Sequence, residues 1–133
     1  MAANRDLYSN ISVQTSILPA ADRTTTTTGT AVDTRDYDSV VVAIHYGTIT
    51  DGTFTPSLQE SDDNSTFTTV AAGDYQGTLT AGTSSADETV VRLGYIGNKR
   101  YVRPVLTASG TPSTGGEFSA VVILGHPHGA PVA

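Results

Sequence analysis

The chain has 133 residues, a single-domain length, with 13 Asp and Glu against 7 Lys and Arg, a formal net charge of -6 and no cysteine. That composition excludes a disulfide framework, a thiolate nucleophile and a thiolate metal site. It also argues against nucleic-acid binding through phosphates, which needs a basic face to release counterions.

No run approaches the roughly 20 apolar residues needed to cross a bilayer. Met1 to Asp6 lacks the charged-then-apolar order of a cleaved signal. A soluble chain made in the cytoplasm, with no membrane partner, is expected. Thr, Val, Ser and Gly are plentiful; β-branched side chains are stiff at χ1 and pack well on a pleat, so many short strands are expected.

Residues 1–10 read as a polar arm. In Ile11-Ser12-Val13-Gln14-Thr15-Ser16-Ile17-Leu18, apolar Ile11, Val13 and Ile17 share one parity, the mark of a half-buried strand that Pro19 should end. Arg23 to Thr30, with five consecutive threonines, is an edge strand or a low-complexity loop. Asp33-Thr34-Arg35-Asp36-Tyr37-Asp38 reads as a solvated acidic turn. Asp33, Asp36 and Asp38 offer oxygens of the kind calcium takes, at a spacing that matches no specific calcium loop.

Val40-Val41-Val42-Ala43-Ile44-His45-Tyr46 is almost continuously apolar, as expected of a central strand covered on both faces. His45, with no second histidine or carboxylate at a matching offset, reads as a packed or rim residue. Gly47 to Thr55 should turn. Ser57 to Ser61 and Thr66 to Val70 flank Asp62-Asp63-Asn64-Ser65, a β-hairpin whose Asx residues hydrogen-bond their own backbone. Ala71 to Glu88 is a long connection rich in Gly, Ser and Thr, the first candidate for a partner-facing segment.

Thr89 to Ile96 returns to a strand pattern, Gly97-Asn98 supplies a turn, and Arg100 to Thr107 is expected to pair back. Pro104 cannot donate to a ladder and belongs at an edge or a bulge. After the polar loop Ser109 to Gly116, Phe118 to Leu124 is the second strongly apolar strand, expected to pair with Val40 to Tyr46. The expectation is an all-β, antiparallel β-sandwich, jelly-roll-like, of about eight strands with minimal helix. Residues 11–125 form its single domain and 126–133 an extended tail, in which His126 and His128 lack further metal ligands.

No Gly-x-Ser-x-Gly elbow and no phosphate-cradling glycine motif occurs. A fold could still gather Asp51, Glu60 or Glu88 into a carboxylate pair. No cofactor, no metal and no enzymatic activity are implied. The remaining signal is Lys99-Arg100-Tyr101-Val102-Arg103, which holds three of the seven basic residues. Its arginines either pair with acids of neighbouring loops or dock onto an acidic neighbour, where a guanidinium grips carboxylates bidentately. The candidate partner-binding residues are Lys99, Arg100, Tyr101 and Arg103, with Tyr75 from the long connection. A sugar-stacking platform would have to come from Tyr8, Tyr37, Tyr46, Tyr75, Tyr95 or Tyr101.

Leu58 to Val70 followed by Arg100-Tyr101-Val102-Arg103 resembles the order found in discoidin-type galactose-binding jelly rolls. Phe67 replaces their tryptophan, Asn64 stands where glycine is usual and the framing cysteines are missing, so their ligand loops do not carry over. A second resemblance spans Asp6 to Pro131. Its elements are Asp33 before Tyr37-Asp38-Ser39-Val40, Gly47-Thr48-Ile49-Thr50-Asp51-Gly52, Glu60-Ser61-Asp62-Asp63, Gly94 to Arg103, and Gly125-His126-Pro127. In these the chain is similar to small β-sandwich structural proteins of tailed bacteriophages and phage-like particles.

That second resemblance implies a virion component on the capsid exterior, made in the host bacterial cytoplasm. It would bind the major capsid protein and copies of itself as a head decoration or stabilising protein. The alternative is a carbohydrate-binding module, or the base subunit of a head fibre or spike, in which a glycan is bound.

Overall fold

The computed structural model describes residues 6–129 and residue 131. Ten strands form two antiparallel sheets. They are β1 (Ile11–Arg23), β2 (Thr27–Thr28), β3 (Val32–Asp33), β4 (Tyr37–Ile49), β5 (Thr53–Ser61), β6 (Thr68–Thr69), β7 (Tyr75–Gln76), β8 (Val90–Tyr95), β9 (Tyr101–Ser109) and β10 (Gly116–Pro127). One sheet runs β1-β10-β4-β8-β7; the other runs β2-β9-β5-β6, with β3 also on β9. Taking β2 and β3 as one interrupted strand and setting aside the two-residue β7 leaves eight strands in two four-stranded sheets, the jelly-roll order. Among the described residues helix is confined to two single 3-10 turns, Tyr8–Asn10 and Ala72–Asp74. Of the arm expected over residues 1–10, positions 1–5 lie outside the described residues, as do positions 130, 132 and 133 of the tail.

The two apolar runs pair as expected: Val122 lies opposite Val42, Ala120 opposite Ile44 and Phe118 opposite Tyr46. Their inward side chains meet those of the facing sheet, so that Val42, Ile44, Tyr46, Leu93 and Val122 pack with Phe54, Leu58, Val102 and Leu106 in one core. Each such side chain contributes about 1.5–3 kcal/mol by leaving water. The Phe54 and Phe118 rings, with centroids 5.2 Å apart, join the sheets directly.

Several expectations are corrected. The central strand β4 is buried on one face: Val40, Val42, Ile44 and Tyr46 point inward, whereas Val41 and Ala43 are half-buried and His45 is exposed. Strand β1 does not end at Pro19. It lies at the sheet edge, where a missing N–H breaks no ladder, and register shifts after Thr15, Ile17 and Ala20 carry it on to Arg23. Nor is Pro104 at an edge; β9 is flanked on both sides. Its N–H side faces the gap between β2 and β3, where the Gly29 amide donates to the Pro104 carbonyl at 2.8 Å. Proline thus interrupts its neighbour and leaves its own strand intact.

The Thr66–Val70 arm of the expected hairpin pairs only at Thr68 and Thr69. The Thr89–Ile96 and Arg100–Thr107 segments do not pair with each other. Strand β8 pairs with β4 and β9 with β5, in opposite sheets, because Leu93 and Tyr95 face Val102 and Leu106 across the core. The segment between them therefore crosses one end of the sandwich.

The long connection is tied to the body. Phe54 and Gly82 exchange backbone hydrogen bonds at 3.0 and 2.9 Å, and the Glu88 amide donates to the Gly47 carbonyl at 3.0 Å. The Ile49 amide donates to the Asp87 carboxylate at 3.1 Å, and Leu79 packs on the core. Residues 77–89 form a strap over the sandwich.

Candidate functional site

The β8–β9 connector is positioned from beneath. Tyr95 is buried, and its hydroxyl donates to Glu60 of the opposite sheet at 2.6 Å while accepting the Lys99 amide at 2.9 Å. Burial and the neighbouring Glu60 carboxylate push the Tyr95 hydroxyl well above the ordinary phenol range. Gly97 makes the arrangement possible, since a Cβ there would come within 2.7 Å of the Tyr95 ring. The consequence is a fixed tether between the sheets at this end.

Each cation of the connector has a partner of its own. Lys99 meets Asp62 at 2.8 Å. Arg100 grips Asp33 with two bonds, 2.9 Å from Nε and 2.7 Å from a terminal nitrogen. The guanidinium bond holds the Asp33 carboxyl down to about 2 against the opposing effect of desolvation, with help from the Arg35 amide. Arg103 points outward on β9 beside its cross-strand neighbour Gln59, to which it donates at 2.8 Å, and stacks 3.7 Å from the Phe67 ring centre. Among the described residues Arg103 has no carboxylate partner. The two readings of this segment therefore divide: Lys99 and Arg100 are engaged with acids of neighbouring loops, and Arg103 retains its carboxylate-gripping capacity.

Around Lys99 lie adjoining open depressions. One, of about 400 Å³, is bounded by Tyr37, Gln76, Tyr95 and Ile96; a second, of about 420 Å³, is bounded by Arg35, Asp38, Asn98 and Arg100. Arg35 is exposed and, among the described residues, has no carboxylate partner either. Nothing local marks Arg35 out from its acidic turn, because its place beside Lys99 and Arg100 arises only when β3 docks on β9.

The candidate residues are partly gathered. Lys99, Arg100, Tyr101 and Arg103 share one end of the sandwich, with Arg100 stacked 5.0 Å from the Tyr101 ring centre. Tyr75 lies in the other sheet, paired with Tyr95 and packed against the core. Of the six tyrosines offered for a stacking platform, Tyr75 and Tyr101 thus lie in different sheets.

The acids offered as calcium or catalytic groups are dispersed. Asp33 serves Arg100, Asp38 meets His128 at 2.8 Å, and Asp51 accepts from Ser113, Thr114 and Gly115, chiefly their backbone amides, which hold its carboxyl down to about 2. Asp63 caps its turn by accepting from the Ser65 and Thr66 amides. Among the described residues no three His, Asp or Glu side chains come together as a metal site. No helix of the described residues is long and apolar enough to cross a membrane.

The fold thus defines an antiparallel jelly-roll sandwich. No protein-family model matches the chain, and no curated protein matches it. Two solved structures are similar over 86% of it, each with a TM-score of 0.57: the PBSX exported protein XepA at 18% identity and the SPBc2 prophage-derived protein YomS at 16%. The chain spans 37% of the XepA chain and 92% of the YomS chain. The carbohydrate-binding module CBM32 of AlyQ, at TM-score 0.38 and 16% identity over 90% of this chain, is too distant in shape to carry an argument. What the chain shares with XepA and YomS is the fold, and it is the fold that the resemblance to small phage β-sandwich proteins implies.

Proposed function

We propose that the protein is a non-enzymatic structural component of a phage particle, a decoration or stabilising protein that binds the major capsid protein on the outside of the shell. The observation that carries this reading is the likeness in sequence elements from Asp6 to Pro131 to small phage sandwich proteins, supported by a fold shared over nearly the whole of a prophage-derived chain. Docking uses the β8–β9 end: Arg103 and Arg35 take carboxylates of the partner, while Lys99, Arg100 and Tyr101 form the rigid surround and Tyr75 borders it from the other sheet.

Mass spectrometry of purified particles tests the reading. The chain is expected in them at a fixed ratio to the major capsid protein, and its absence ends the proposal. Arg103→Glu should release the chain from particles while leaving its fold unchanged, because Arg103 is only half-buried and its bonds are to Gln59 and Phe67. Retention of Arg103→Glu would place the contact elsewhere.

A further inference from the structure

The continuous apolar runs of β4 and β10 are the pattern of strands covered on both faces, yet the sandwich covers only one. The outward side chains form three cross-strand rows: Val13, Ile123, Val41 and Gly94; then Thr15, Val121, Ala43 and Arg92; then Ser119, His45 and Val90. Val13 is 55% and Val90 57% exposed, and Leu18, 69% exposed, stands at the β1 margin. The other sheet differs: Thr53, Thr55, Ser57, Gln59, Arg103 and Thr107 face out from β5 and β9, with Tyr101 and the buried Val105 among them. One plate of the sandwich is polar outside, as antiparallel sheets usually are, and the other is not.

We propose that two copies of the chain associate face to face through the outer surface of β1, β10, β4 and β8. Two features choose a second copy over another partner. The first is charge. In a chain of net charge -6, the only formal charge in these rows is Arg92, with Glu117 at the margin, so a partner recognised by charge finds little to complement. A second copy brings the same near-neutral surface and keeps the acidic turns apart.

The second is area. Four strands about 4.8 Å apart and roughly nine residues long at about 3.4 Å each offer on the order of 500 Å² per copy. The pair buries about 1,000 Å², the lower bound for a specific interface. Association is therefore concentration-dependent. The inference rests on this sheet alone and stands apart from the docking end described above.

Sedimentation of the full chain from low to high micromolar concentration tests it. Wild type should rise from 13.8 kDa towards twice that mass, and 0.5 M NaCl, on the order of a 4 Å screening length, should not dissociate it because the contact is apolar. Val121→Lys, at the centre of the face, should stay at the single-chain mass. Val121→Thr keeps the β-branched shape, should melt like wild type, and should weaken association about tenfold, by one methyl lost from each copy. Thr55→Lys on the opposite plate should associate as wild type does.

A wild type at single-chain mass throughout overturns the proposal, as does a Val121→Thr chain that associates as strongly as wild type. A single wild-type chain that loses its particles on Val121→Lys also overturns it and gives the face to another partner. Absence of the chain from particles leaves this result standing.

Discussion

Besides its backbone bonds, the strap over residues 77–89 is held by one buried side-chain hydroxyl, which makes Tyr46→Phe a sharp test of how the fold is closed. Tyr46 is fully buried; its hydroxyl donates to the Thr80 carbonyl at 2.9 Å, and Gly82 lies against its ring. Burial pushes this hydroxyl up to about 12, so it stays a donor across the folded range of pH. Removing it leaves the volume of the core almost unchanged and orphans a part-buried carbonyl, at a cost of about 1–2 kcal/mol. With an unfolding entropy of about 0.28 kcal/mol/K for a chain of this size, the melting temperature should fall by about 4–7 °C.

The loss should be local first. In limited proteolysis, cleavage between Thr78 and Ala86 should accelerate before the sandwich is attacked. Gly82→Ala should act on the same contact from the other side, because its Cβ would stand 2.6 Å from the Tyr46 ring; overpacking of this kind costs about 1–3 kcal/mol. Gly73→Ala, with nothing within 4 Å of the new Cβ, serves as the neutral comparison. A Tyr46→Phe chain that melts with wild type and whose strap is cut no faster would refute the reasoning.

Two electrostatic predictions follow from the same geometry. Asp33 has a depressed folded pKa, so its stabilisation is present above the ordinary value of 3.8 and lost as pH falls towards 2. Because the Asp33 and Arg100 side chains are more than a third exposed, screening limits the pair to about 1 kcal/mol or less. Urea denaturation should show Asp33→Asn less stable by that amount at neutral pH, with the gap shrinking from below pH 4 and closing as pH falls through about 2; a gap that does not shrink in acid counts against the pair.

His128 has the opposite sign. The Asp38 hydrogen bond raises it above 6.5, so its contribution is complete below that value and fades as pH climbs through the raised one. In an NMR titration, Asp38→Asn should bring the His128 midpoint back towards 6.5, and no movement would mean the contact is not made in solution.

The strand skeleton was legible because its signals are local. Alternation in Val102 to Leu106, the apolar runs of β4 and β10, and the Asx turn at Asp62 to Ser65 each follow from residues within a few positions; in β1 the alternation marks a strand but not its face, because the register shift after Thr15 turns Ile17 inward and leaves Val13 55% exposed on the outer side. The missed features depend on contacts distant in sequence. That β8 and β9 lie in opposite sheets is decided by a core shared with β4 and β5. That Arg100 would pair with an acid of a neighbouring loop was legible, but which acids Arg100 and Lys99 meet, Asp33 and Asp62, is decided 67 and 37 positions away. A continuous apolar run states that both faces of a strand are hydrophobic; it does not state that one chain covers both. Pro19 and Pro104 misled for a related reason, since proline's missing donor matters only on the side where a neighbour would have used it.

The most direct test of the account is an electron-microscopy reconstruction of purified particles, into which the sandwich is fitted as a rigid body. It should stand on the outside of the shell with the β8–β9 end, Arg103 foremost, against the major capsid protein. Density for the sandwich seated by any other surface, or no such density on the shell, would contradict it.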